Sequence, residues 1–160
     1  ISFMRGVPIL VILFLLYFGF PVVGIEFTAV QAALIGFSLN SAAYMAEILR
    51  SSLSSVDIGQ WESSKALGLS YWQSMKRIIL PQSVRIAIPP LSNVLMDLIK
   101  ASSLAAMITV PEIFQKARII GAREYDLLTL LILVALIYWA ICSVMTVMQN
   151  YLEKRYAKYL

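Results

Sequence analysis

Residues 27–49 run for more than twenty positions with Glu47 as their only charged side chain. A helix of about 20 apolar residues crosses a hydrocarbon core of ~30 Å, so this run is the clearest length match to a membrane span. Three further apolar runs cover 8–24, 86–110 and 127–148. The first is near the lower length limit and holds Pro21 and Gly24, which points to a start before Pro8 or a bent exit. Between the second and third runs lies a stretch of another kind, 61–81, with Glu62, Lys65, Lys76 and Arg77. A polar segment between hydrophobic spans lies at a membrane face or in water. Its pattern is helix, break, helix: Trp61, Lys65 and Leu69 recur at helical spacing, Gly68 loosens the chain, and 71–79 reads as a second short helix. Pro81 is expected to stop or redirect that helix, because its ring removes an N–H and disfavours a helical residue before it.

With 60% hydrophobic and 14% charged residues and a mean hydropathy of +0.80, the composition points to a polytopic membrane protein. Cys142, the one cysteine, sits in an apolar run, so no disulfide forms within the chain. With no histidine either, a thiolate or imidazole metal site is not expected. No two carboxylates share a helical face within the spans, so no catalytic residues are assigned. No G-x4-G-K-[ST] phosphate loop appears, so ATP is not bound here by that route. A nucleic-acid role for the basic residues is not expected. The start at Ile1, without an initiator Met, reads as a fragment or one domain of a longer protein.

The 27–49 run is rich in small residues, with Ala32–Gly36 and Ser38–Ala42 as small-xxx-small pairs that let helix backbones approach. At its end, Glu47 and Arg50 are three apart, placed either to pair at the interface or to contact substrate. The 86–110 run holds Asn93, Asp97, Lys100, Ser102 and Ser103 after the double proline Pro89-Pro90. Asn93, Asp97 and Lys100 fall at i, i+4 and i+7, one face of an otherwise apolar helix that is expected to be buried. Charge within a span is costly and usually faces the bundle interior or a water cavity. The stripe therefore either lines a translocation path or only pairs helices. Residues 111–120 fit a short helix ended by Gly121. The tail, with Tyr151, Lys154, Arg155, Tyr156, Lys158 and Tyr159, reads as a membrane-surface anchor.

Charge tests the topology. With 61–81 cytoplasmic, nine of the 13 basic residues lie inside: Arg5, Arg50, Lys65, Lys76, Arg77, Arg85, Lys154, Arg155 and Lys158. Lys116, Arg118 and Arg123 lie outside, and Lys100 is in the membrane. That satisfies the positive-inside rule and fixes four spans, with the 57–81 loop and the C-terminus cytoplasmic.

Glu62-Ser63-Ser64, Gly68 and Ile78-x-Leu80-Pro81 resemble the EAA loop of ABC-importer permeases, E-A-A-x3-G-x9-I-x-L-P, with two serines in place of two alanines. Arg5-Gly6-Val7-Pro8, Ala43-Tyr44-Met45-Ala46-Glu47-Ile48-Leu49-Arg50, Gly59-Gln60 and Asn93-x6-Lys100-Ala101-Ser102-Ser103-Leu104 resemble runs of the polar amino acid group. Ala101 stands where that group usually has Asp or Asn. The resemblance implies an all-α, polytopic membrane helical bundle of the type I ABC importer permease (MetI-like) kind. It implies an amino acid substrate and coupling to ATP-binding cassette ATPase subunits through Glu62, Ser63, Ser64, Gly68, Leu80 and Pro81. It also implies candidate substrate contacts at Asn93, Lys100 and Ser103, with Lys100 suited to a carboxylate; with Asp97 and Ser102 of the same polar run these make up the expected substrate path. The implied partners are a second permease subunit, identical or closely similar, an extracellular solute-binding protein and the lipid bilayer of the bacterial inner membrane. ATP and Mg²⁺ belong to the ATPase, and this chain carries no cofactor of its own. Two alternatives stay open: an importer for another small solute (peptide, sugar or metal), or a scaffold or sensor that no longer transports.

Overall fold

The structure, a computed structural model, describes residues 1–157, with side chains described through Lys154. The short helix α1 (Ser2–Gly6) ends at Val7, whose extended backbone (φ −102°, ψ 132°) is what the following Pro8 requires. Helix α2 (Ile9–Phe14) continues as a π turn over Leu15–Gly19 and a 3₁₀ turn over Phe20–Val23, and stops at Gly24 in the left-handed region (φ 81°). Helix α3 (Ala29–Ser54) opens with a capping box. The Gln31 N–H donates to Thr28 Oγ1 (3.3 Å), and the Thr28 N–H donates to Gln31 Oε1 (3.0 Å). There follow α4 (Ile58–Ala66), α5 (Tyr71–Ser74) with a π turn at Met75–Ile79, and α6 (Leu80–Ala101) with a 3₁₀ turn at Ser102–Ile108. Helices α7 (Ile113–Arg123) and α8 (Leu127–Ala157) complete a chain with no strand among the described residues.

Three helical stretches are long and apolar enough to cross a membrane: Ala29–Ser54, Tyr71–Ile108 and Leu127–Lys154. Ile9–Val23 is a shorter apolar helix, in keeping with the length limit read from the sequence. The large side chains of α8 point outward: Leu128, Leu136, Trp139 and Val147 are each more than half exposed. An outward apolar face of this extent is what a hydrocarbon solvent demands.

Pro81 does not end its helix. Tyr71–Ile108 is one helical run, and the expected stop is replaced by a wider turn. The Leu80 N–H bonds to Met75 O, five residues back, directly before the proline ring. Pro21 follows the same device, with the Phe20 N–H bonded to Leu15 O. A π turn ahead of proline absorbs the missing donor and the crowding of the ring without breaking the helix.

The core joins α2, the first half of α3 and the 3₁₀ turn after α6 through Ile12, Leu13, Leu16, Ala32, Ala33, Ala105 and Ile108. The pair Ala32–Gly36 serves as expected: a Cβ at Gly36 would lie 2.8 Å from Leu13 Cδ2. Leu13 is fully buried there, and in a hydrocarbon surround its contribution is close van der Waals packing. The second pair, Ser38–Ala42, faces outward. Gly121 lies within α7 and does not end it, because α7 runs on to Arg123. Its role is close approach: an added Cβ would lie 2.9 Å from Leu127 Cα, where α8 begins. Tyr138 Oη donates to Glu112 Oε2 (3.3 Å), and the same carboxylate caps α7, tying that helix to α8.

Candidate functional site

The 57–82 segment folds on its own sequence. Asp57 caps α4, its Oδ1 accepting from the Gly59 N–H at 2.7 Å. The helix ends in a Schellman arrangement. The Leu69 N–H donates to Ser64 O (3.1 Å), the Gly68 N–H donates to Lys65 O (2.9 Å), and Gly68 supplies the positive φ of 74°. Ser70 then opens α5 with a capping box: the Gln73 N–H donates to Ser70 Oγ (3.4 Å) and the Ser70 N–H to Gln73 Oε1 (2.9 Å). The two arms are tied by a stack of Trp61 on Tyr71 (centroids 5.4 Å, interplanar angle 19°). A second tie runs from Gln82 Nε2 to Gln60 Oε1 (3.2 Å).

Within this hairpin the two serines of the Glu-Ser-Ser run differ. Ser64 is fully buried and its Oγ donates to Trp61 O (2.8 Å), which satisfies the hydroxyl that replaces a methyl. Ser63 and Glu62 are exposed. Exposed with them are Ile58, Leu67 and Trp72, each beyond 70%, and the cations Lys65, Lys76 and Arg77. This mixed apolar and charged surface at a helix turn is suited to a protein groove. Leu80 and Pro81 stand exposed at the base, where the hairpin passes into α6, and Ile79 beside them is fully buried.

The second region is the polar face of α6. Lys100 Nζ lies 2.8 Å from Asp97 Oδ1. The stripe is not buried within this chain, contrary to expectation: the Asp97 and Lys100 side chains are 74% and 56% exposed. Asn93 is separate from that pair and accepts from Gln149 Nε2 on α8 (3.3 Å). Ser102 and Ser103 turn their hydroxyls inward, donating to Ile99 O (2.7 Å) and Lys100 O (2.8 Å). Asp97 also borders a cavity of about 270 Å³ between α6 and α3, with Phe37, Asn40, Ser41, Tyr44 and Leu98 among its walls.

The α3 side of that cavity is fastened to α1. Asn40 Nδ2 donates to Met4 O (2.8 Å), and Tyr44 Oη donates to Arg5 O (3.4 Å). The Arg5 guanidinium lies over the Tyr44 ring at 5.9 Å and 3.4 Å from Glu47 Oε2. Glu47 is paired with Arg50 as well, so the helix-end ion pair read from the sequence is present, with Arg5 as a third member.

Two signals could have pointed to residues the sequence reading passed over. Asp57 precedes the helical pattern of α4, and Ser70-x-x-Gln73 carries the capping-box spacing. The Trp61–Tyr71 stack and the place of Asn40 on the cavity wall had no such signal, since both depend on how separate segments meet. The tail anchor falls mostly on positions whose side chains lie outside the described residues.

Residues 1–158 match the family model described as "Binding-protein-dependent transport system inner membrane component". Among curated relatives, the chain is 74% identical over 160 residues to the probable amino-acid ABC transporter permease protein YckA of Bacillus subtilis (strain 168), covering all of this chain and 71% of the relative. It is 44% identical to the L-cystine transport system permease protein TcyB of the same organism, covering 100% of this chain and 69% of that one. Among solved structures, one described as "Crystal structure of an amino acid ABC transporter with histidines" superposes with a TM-score of 0.92 at 30% identity, over 96% of this chain and 72% of the other. The all-helical fold, the apolar spans and these matches together place the chain: it belongs to the family of binding-protein-dependent transport system inner membrane components, the membrane-embedded permeases of ABC transporters.

Proposed function

We propose that this chain is the transmembrane subunit of an ATP-driven importer that carries amino acids into the cell across the bacterial inner membrane. The hairpin at 57–82 is the docking element for ATPase subunits, which hold ATP and Mg²⁺ and supply the energy. It lies on the cytoplasmic side with the C-terminus. Glu62, Ser63, Leu80 and Pro81 present the docking surface, while Ser64 and Gly68 shape it. A second permease subunit, identical or closely similar, covers the open face of α6, and an extracellular solute-binding protein delivers substrate.

The single observation that carries this reading is the pairing of a self-capped hairpin with an exposed Asp97–Lys100 pair on a helix otherwise fit for lipid. Charge so placed needs either a second subunit or water beside it. Lys100 is the group suited to a substrate carboxylate, and Asn93 and Asp97 border the same route. Ser102 and Ser103 contribute through the local turn, since their hydroxyls are already engaged with helix carbonyls. The names of the relatives, amino-acid and cystine permeases, support the substrate class.

The test is ATPase activity of the reconstituted complex with and without substrate-loaded binding protein. Stimulated turnover that collapses in Glu62→Ala is the expected outcome. Unstimulated activity, indifferent to Glu62→Ala, would show that the hairpin does not couple.

A further inference from the structure

We infer that Tyr125, in the turn from α7 into α8, is a docking contact for the extracellular solute-binding protein; this rests on the reading above that the side opposite the hairpin faces outward and that such a protein delivers substrate. Among the described residues, four helical stretches end on the same six-to-one bond. The Ile25 N–H donates to Phe20 O (3.2 Å), and the Leu69 N–H to Ser64 O (3.1 Å). The Val110 N–H donates to Ala105 O (3.1 Å), and the Asp126 N–H to Gly121 O (3.1 Å). In each case the residue before the donor has a positive φ: Gly24 at 81°, Gly68 at 74°, Thr109 at 65° and Tyr125 at 57°. This position favours glycine, because a Cβ there crowds the backbone. Thr109 is held in it by contact, its Oγ1 lying 3.4 Å from Tyr17 Oη. Tyr125 is not: its side chain has no partner among the described residues and is 97% exposed. A large side chain that strains its backbone and touches nothing in its own chain is placed for a contact outside it.

The turn holds the ring on a fixed support. The Glu124 N–H donates to Ile120 O (2.9 Å), and Asp126 Oδ1 accepts from the Thr129 N–H (3.3 Å) in the first turn of α8. The close approach of Gly121 to Leu127 Cα locks α7 against the start of α8 at the same place. A tyrosine on a preorganised turn offers a large contact area with little side-chain freedom to lose. Its surroundings select the partner. Arg123, Glu124 and Asp126 are exposed beside it, one cation and two carboxylates. Anionic headgroups are repelled by a turn of net negative charge, whereas a protein surface can match both signs. Transport in this family depends on a binding protein, and that protein must meet the permease away from the ATPase side. The turn is also tied to the polar face of α6. Glu112, which caps α7 and holds Tyr138, stands four residues past the 3₁₀ turn that begins at Ser102 and Ser103.

The experiment uses the full-length permease with its ATPase subunits in vesicles, with purified, substrate-loaded solute-binding protein added on the side opposite the hairpin. Benzoylphenylalanine in place of Tyr125 should, on illumination, crosslink to the binding protein. Tyr125→Gly and Tyr125→Asn suit a positive φ, so neither should lower thermal stability. Both should raise the concentration of binding protein that half-saturates ATPase stimulation roughly tenfold, with the maximal stimulated rate unchanged. Tyr125→Phe, which keeps the ring, should change it little. A residue that only shapes the turn would give the opposite pattern, lower stability with the same half-saturation. Equal half-saturation in wild type, Tyr125→Gly and Tyr125→Asn overturns the docking contact, as does a crosslink that goes only to lipid or to another part of the permease assembly. Crosslinking does not require turnover. A crosslink to the binding protein in a complex whose wild-type ATPase is not stimulated would keep the contact and discard the transport reading. Normal stimulation with no crosslink would do the reverse.

Discussion

The hairpin at 57–82 and the polar face at 93–103 are joined by one helix yet are stabilised in opposite ways. In the hairpin, caps, the Schellman turn and the aromatic stack are all made between residues close in sequence. Its shape is set before any partner arrives. On the polar face, Asp97 and Lys100 pair only with each other among the described residues, and most of both side chains is open. That region is complete only with a neighbour or water beside it. The difference teaches where each kind of function resides. On the proposed reading, the surface that would transmit force is the one built from local bonds. The surface that would meet the ligand is the one left with polar capacity to spare.

The largest effect that would sharpen this contrast is expected at Lys100. Lys100→Met should raise the KM for uptake about tenfold or more, with binding-protein-stimulated ATPase retained, because a charge-assisted contact is lost on the ligand side alone. Adding Asp97→Asn discriminates contact from pairing. If the pair only holds helices, the double variant recovers uptake; the expected result is that it does not. Next, Gly68→Val forces a β-branched residue to φ 74° at a cost of about 1–2 kcal/mol. It should weaken ATPase association about tenfold, read by co-purification, while substrate affinity is unchanged. Ser70→Ala removes a cap worth ~1 kcal/mol and should give the same defect at roughly fivefold. An intact complex in both hairpin variants would break the claim that local bonds set its shape.

Much of this was legible in the residues. The long apolar runs give the spans, and the small face at Ala32 and Gly36 gives the helix contact, because both follow from length and volume. The helix–break–helix pattern around Gly68 holds for the same reason, since one glycine position needs a positive φ. Pro81 misleads because proline rules describe a regular ladder, and a π turn at Met75–Ile79 changes which carbonyl each N–H must reach. Gly121 misleads because a glycine that ends a helix and a glycine that admits a neighbouring backbone look alike until Leu127 is in place. In the site, the Asp97–Lys100 pair was visible as spacing, whereas its openness depends on what packs beside α6. Arg5 joining Glu47 was not visible, since nothing local connects positions so far apart.

The continuous run Tyr71–Ile108 has a mechanical consequence. At 1.5 Å per residue, its 38 residues make a rod of about 57 Å. One end is the second arm of the hairpin, Asp97 and Lys100 lie past the middle, and the far end buries Ile108 in the core. For a fully rigid rod, a tilt of ~5° at the hairpin would move the far end by about 5 Å over that length. Pro89 and Pro90 remove two ladder donors near the midpoint, so they act as the compliant joint of the lever. On the proposed reading, the stiffness of these two residues governs how much of a movement at the hairpin reaches the polar face.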